Sequence, residues 1–201
     1  MPVRDDYVRE EIIQVGGTPL RVAIRPGTGT APPLLLCNGF GMRLEAWRPF
    51  VDALDPAIEV IRFDAPGAGG SQLPNLPYRL TTLALLLREL LHKLGHQQAD
   101  VLGISWGGRL AQQFALRNPR LCRQLILVAT PGFTTLPLLP LIRQRTLVLT
   151  GDQDPIIPVA NGRILAAGIP HATLHVYHGG HVELVTRPSP LTPMITSFLA
   201  S

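Results

Sequence analysis

Hydrophobic positions along this chain fall into short unbroken runs rather than alternating ones: Leu34 to Cys37, Val60 to Phe63, Ala99 to Ile104, Gln124 to Ala129, Thr146 to Thr150 and Thr173 to Tyr177. Each run is rich in Leu, Val and Ile and too short for a buried helix, so each predicts a strand covered on both faces. Ahead of them, Glu11 to Gln14 and Leu20 to Arg25 flank Gly16-Gly17-Thr18 and predict an antiparallel hairpin. Helical periodicity fills the intervals: Leu44 to Leu54, Leu80 to Leu94, Trp106 to Arg117, Ile156 to Ala167 and Leu191 to Leu199. The second is the clearest, with Leu83, Leu87, Leu90 and Leu94 at helical spacing and Gly95 as its stop. The expected fold class is α/β: a mostly parallel twisted sheet of about eight strands with helices on both faces, built as one domain over residues 1 to 201.

Composition narrows the class of protein. Of 201 residues 46% are hydrophobic and 16% charged, enough apolar mass for a single buried core. No apolar run reaches the ~18 residues of a membrane span, and Met1 to Glu10 is charged where a secretory signal would be apolar, so a soluble cytoplasmic protein without integral membrane association is expected. Residues 1 to 104 carry 10 basic and 11 acidic side chains, and residues 105 to 201 carry 8 and 3. The basic half has no nucleic-acid footprint, since Arg109, Arg117, Arg120 and Arg123 are spread over a helix and its end. Weak contact with an apolar granule or lipid surface stays open. Cys37 and Cys122 read as buried small hydrophobes. No His, Cys or carboxylate spacing suggests a metal, and no cofactor is implied.

In a parallel sheet the chemistry gathers beyond the carboxyl ends of the strands. Gly103-Ile104-Ser105-Trp106-Gly107 places a serine on the tight turn between a strand and a helix, where flanking glycines relieve crowding. A serine hydroxyl needs an imidazole to take its proton, and the imidazole needs a carboxylate to fix its tautomer. His181 follows the last strand on a Gly179-Gly180 loop, with His178 as the fallback; His92, His96, His171 and His175 carry no such signal. Asp152 and Asp154 compete for the acid. Pro155 biases Asp154 toward an extended backbone at the lip of the sheet, and Asp152 reads as a turn former. The catalytic candidates are therefore Ser105, Asp154 and His181. Asn38-Gly39-Phe40-Gly41 follows a strand, so the Phe40 amide, with the Trp106 amide next to the nucleophile, would stabilise an oxyanion; both side chains would also line the substrate site. Asp64-Ala65-Pro66-Gly67-Ala68-Gly69-Gly70-Ser71 matches no phosphate-binding spacing and reads as a structural turn.

These residues resemble the α/β-hydrolase superfamily. Pro33 to Gly41, Leu54-Asp55-Pro56 through Phe63 to Gly67, Gly103 to Gly108, Ala111 to Ala115 and Gly151 to Pro155 are similar to the intracellular medium-chain-length polyhydroxyalkanoate depolymerases, including Asn38-Gly39 where many hydrolases have His-Gly. The resemblance implies ester hydrolysis through Ser105, Asp154 and His181. It departs at one place: relatives insert a helical lid where only Thr130 to Arg145 intervene here, too few residues for a cap domain. Phe133, Leu136, Leu138, Leu139, Leu141 and Ile142 crowd that connector, either packed on the sheet edge or forming an apolar lip beside the site. A generic carboxylesterase or perhydrolase is the nearest alternative, and a non-catalytic binding protein is the alternative from another class. Dehalogenase or epoxide-hydrolase chemistry would put an aspartate where Ser105 stands.

Overall fold

The computed structural model of the chain describes residues 8–72, 79–132 and 136–201. Eight strands form one sheet in the order β1-β2-β4-β3-β5-β6-β7-β8. They are β1 (Arg9–Val15), β2 (Thr18–Arg25), β3 (Leu34–Cys37), β4 (Val60–Phe63), β5 (Ala99–Ile104), β6 (Cys122–Val128), β7 (Arg145–Gly151) and β8 (Ala172–Tyr177). β1 and β2 pair antiparallel with Val15 opposite Thr18, so the expected hairpin turns through two glycines, both at positive φ. β2 is also antiparallel to β4, and from β4 to β8 every pairing is parallel.

Because side chains alternate across a strand, the apolar runs serve two cores at once. Leu35, Cys37, Val101, Leu125, Leu127 and Val148 face the first core with helices α2 (Leu80–Lys93), α3 (Trp106–Arg117) and α4 (Val159–Gly168). Leu34, Leu36, Leu102, Ile104, Ile126 and Leu149 face the second with α1 (Arg48–Ala53), α5 (Glu183–Thr186) and α6 (Thr192–Leu199). α2 buries Leu83, Ala84, Leu87, Leu90 and Leu91, each leucine contributing ~1.5–3 kcal/mol, which holds so regular a helix against the sheet. Arg25 is buried and donates to the carbonyls of Val51, Asp55 and Ile58, tying β2 to the end of α1.

The connector between β6 and β7 is a crossover on the first face. Leu136–Leu141 is a short 3-10 helix, and Leu139 and Ile142 are buried with Leu165 and Ile169 of the α4 region. A side chain at Gly168, at the far end of α4, would meet Leu139 at 2.7 Å, so this segment descends alongside α4. Leu136, Leu138 and Leu141 stay exposed on its outer side, and Phe133 lies outside the described residues. Cys37 and Cys122 are buried free thiols, pushed up from their ordinary pKa by desolvation.

Candidate active site

The turn after β5 is shaped by three glycines with three different neighbours. A Cβ on Gly103 would strike the Gly107 carbonyl, one on Gly107 would strike the backbone of Cys37 and Asn38, and one on Gly108 would strike the Thr130 side chain. The start of α3 is thereby pressed onto the ends of β3 and β6. Ser105, between them, has φ 53 and ψ −119, a strained conformation for a residue with a side chain. Its N–H donates to Val128 O at 2.9 Å and its carbonyl accepts from Gly108 N at 3.0 Å, so strand and helix both fix the turn. Trp106 is the first residue of α3, where an N–H has no acceptor within the helix.

Asp154 and His181 are brought together from loops 27 residues apart. Nδ1 of His181 lies 2.8 Å from Oδ2 of Asp154. The other carboxylate oxygen accepts the N–H groups of Ile156 and Ile157, both at 2.8 Å. The helix expected from Ile156 starts only at Val159, because Pro158 at its N-cap has extended backbone (ψ 151) and disfavours helical backbone at Ile157. The Asp154 side chain has no exposure and that of His181 has 13%, so the pair sits out of bulk water. An ionised carboxylate only accepts, so His181 donates through Nδ1–H and its Nε2 keeps the lone pair a base requires. Tyr177 O–H donates to Gly180 O at 3.2 Å beneath this loop, and its pKa is raised by burial, then by the charges of Asp154 and Glu183.

The two fallback residues also meet each other. Asp152 Oδ2 lies 3.1 Å from Nδ1 of His178, but both side chains are open to solvent. The structure therefore separates an enclosed pair, Asp154 with His181, from an exposed one, Asp152 with His178.

Asn38 anchors the loop after β3 from inside. Its amide donates to Phe63 O at 2.9 Å and Met42 O at 3.3 Å, and its Oδ1 accepts from the buried Trp47 indole at 2.6 Å. Gly39 N–H is 3.2 Å from the Met42 sulfur, and Met42 N–H returns to Gly39 O at 3.1 Å. Phe40, at the crest of this turn, is 88% exposed. A cavity of about 200 Å³ lies between this loop and the one after β4, with Phe40, Met42, Phe63, Pro66 and Trp106 among its walls. It adjoins the Ser105 turn through Trp106, and Ser105, Asp154 and His181 are not part of its lining.

Sequence reasoning passed over the weight carried by Asp64. Its fully buried carboxylate accepts from Leu44 N and Gly70 N, both at 2.8 Å, and from Arg21 at 3.2 Å. Ser71 Oγ donates to Asp64 O at 2.7 Å. Arg21 also pairs with Glu10 and Glu45, which raises its already high pKa. The loop is a turn, as expected, built around a buried charge; an aspartate directly after an apolar strand was the available signal.

A family model described as alpha/beta hydrolase fold matches residues 32–141, and the chain belongs to this family. It is a hydrolase by that membership and by its relatives. It is 35% identical to a poly(3-hydroxyalkanoate) depolymerase from Ectopseudomonas oleovorans, over 93% of this chain and 91% of that protein. That alignment spans 257 positions against a chain of 201 residues, so the relative carries additional chain within the match. It is also 35% identical to a soluble epoxide hydrolase from Corynebacterium sp. (strain C12), over 66% of this chain and 41% of that protein. Among solved structures, a membrane phospholipase A described as a bacterial virulence factor superposes with a TM-score of 0.89 at 21% identity, covering 96% of this chain and 86% of its own. At that identity the likeness is one of fold. Among the described residues no helix is long and apolar enough to cross a membrane.

Proposed function

We propose that this chain hydrolyses carboxylic esters through an acyl-enzyme on Ser105, with aliphatic polyesters such as polyhydroxyalkanoates among its substrates. The observation that carries the reading is the enclosed His181–Asp154 hydrogen bond of 2.8 Å, at the same sheet end as a serine on a strained strand-to-helix turn. Ser105 Oγ attacks the ester carbonyl while His181 Nε2 takes its proton. The imidazolium, steadied by Asp154, returns the proton to the departing alcohol, and water then releases the acid by the reverse exchange. The Phe40 and Trp106 amides stabilise the oxyanion of each tetrahedral intermediate. The epoxide hydrolase relative shares the fold, whereas a serine at position 105 suits acyl transfer.

The depolymerase relative and the apolar side chains around the site support the substrate class. The β6–β7 connector holds 16 residues and sends Leu139 and Ile142 into the core, which supports a single domain without a lid. Three site-bearing loops expose apolar side chains: Phe40 (88%), Ile156 (63%) and Val182 (46%). Such a rim suits an apolar polyester surface better than a small polar ester. The test is a panel of chromogenic acyl esters of increasing length beside a polyester emulsion, with Ser105→Ala as the blank. Hydrolysis retained by Ser105→Ala would refute the mechanism. Failure of a fluorophosphonate to label Ser105 would favour a binding protein instead.

A further inference from the structure

Two aspartate–histidine pairs, not one, bridge the loops after β7 and β8. Strand pairing ends at Gly151 opposite Tyr177. Beyond it, Asp152 N–H donates to Tyr177 O at 2.9 Å and Gln153 N–H to Gly179 O at 3.0 Å. The Asp152 carboxylate spans the gap, with Oδ2 at 3.1 Å from His178 Nδ1 and Oδ1 accepting Gly179 N–H at 3.2 Å. Gly179 is thus held at both its N–H and its carbonyl. That matters because Gly179 and Gly180 are the residues that would otherwise give the backbone before His181 the widest freedom. The loops also fit closely beneath this bridge: a Cβ on Gly151 would strike the Gly179 carbonyl. Asp152 and His178 are exposed, with side chains 45% and 77% accessible, so the pair adds little to global stability. Its leverage is local, two residues ahead of Asp154 and three ahead of His181.

We propose that Asp152 is a positioning residue, whose carboxylate clamps His178 and the Gly179 amide so that the His181 loop meets Asp154 at bonding distance. The proposal rests on the reading of Ser105, His181 and Asp154 as the reacting groups. The hydrogen bond from His178, followed by that from Gly179, holds the Asp152 carboxyl below the usual carboxylate range, which keeps the clamp charged. The other ionisable groups around the loop are Asp154, Tyr177 and Glu183. Glu183 lies against Gly179 and pairs with Arg187 at 2.8 Å, and the Asp152 carboxylate bonds to His178 and Gly179 rather than to any of these groups.

The test compares Asp152→Ala, Asp152→Asn and His178→Ala on a short chromogenic ester, reading kcat, KM and the acid limb of the pH–kcat profile. Asp152→Ala should lower kcat about ten- to hundredfold, the loss expected for a misplacement of about 1 Å. KM should stay within about twofold, because the substrate contacts are untouched. The acid limb should move to lower pH, since an imidazolium less closely held by Asp154 loses its proton more readily. Asp152→Asn should recover most of kcat: its amide oxygen accepts Gly179 N–H, and its NH2 donates to Nδ1 of neutral His178, whose exposed ring is free to carry its proton on Nε2 instead. His178→Ala, which leaves the Gly179 bond intact, should cost less than Asp152→Ala. Wild-type kcat and acid limb in Asp152→Ala would overturn the proposal, as would equal losses in the Ala and Asn variants. A loss as deep as that of Asp154→Ala would make Asp152 the triad acid and overturn it too. If instead Ser105→Ala remains active, the underlying mechanism fails, a result separable from all of these.

Discussion

Replacing Asn38 by alanine is the sharpest probe of how the loop after β3 is held. Asn38 is 3% exposed and Trp47 is fully buried, so neither can turn to water when their 2.6 Å bond is lost. The substitution leaves two buried groups without this partner, the Trp47 indole N–H and the Phe63 carbonyl; the 3.3 Å bond to Met42 is weaker and partly solvated. At ~1–3 kcal/mol for each of the two groups stranded in the interior, the expected loss is ~2–6 kcal/mol. For a chain of this size each kcal/mol moves Tm by about 2–4 °C, so Asn38→Ala should melt at least ~4 °C lower. Trp47→Phe removes the donor, and the double variant should therefore lose ~1 kcal/mol or more less than the sum of the two single losses. Urea unfolding followed by far-UV circular dichroism reads all three variants, avoiding the fluorescence change that the Trp47 substitution itself brings. An Asn38→Ala protein within ~0.5 kcal/mol of wild type, or strictly additive single losses, would refute the assignment of a buried anchor.

The connector makes a second prediction: Leu139→Ala should cost ~2–5 kcal/mol by opening the first core, while Leu138→Ala and Leu141→Ala stay within ~0.5 kcal/mol, as chemical denaturation would show. Gly107→Ala should abolish ester hydrolysis, because its Cβ meets backbone of Cys37 and Asn38 that cannot swing aside; wild-type kcat in a folded variant would contradict this. The proposed mechanism has hydrolysis fall in acid, since an imidazolium at His181 would have no lone pair to accept a proton from Ser105, and a rate flat through the acid range would exclude His181 as the base. Native protein should resist a thiol reagent and expose both cysteines only after denaturation, a chromogenic disulfide giving the count.

Much of this molecule is legible from local pattern. The bounds of β3, β4, β5 and α3 are those the sequence predicts, because an unbroken apolar run and a glycine-flanked turn are local signals. α4 begins three residues later than its periodicity suggests, because Pro158 sits at its N-cap with extended backbone and disfavours helical backbone at Ile157. The short helix α5 was not anticipated: four residues are too few to carry a period.

At the site, the chain alone determined which residues end each strand, and so which groups could meet: Ser105 after β5, Asp152 and Asp154 after β7, His178 and His181 after β8. It determined the serine turn most sharply where the crowding is local, since a Cβ on Gly103 would meet the Gly107 carbonyl four residues on, whereas Gly107 and Gly108 are required by Cys37, Asn38 and Thr130 from neighbouring strands. Tertiary structure alone decided the pairing of two aspartates with two histidines, and gave burial to one pair and solvent to the other. It also made Asp64 the buried partner of Leu44, Gly70 and Arg21, and took Leu139 and Ile142 of the apolar connector into the core while leaving Leu136, Leu138 and Leu141 outside. These choices depend on distances between segments far apart in sequence, fixed only when parallel strands bring their carboxyl ends together.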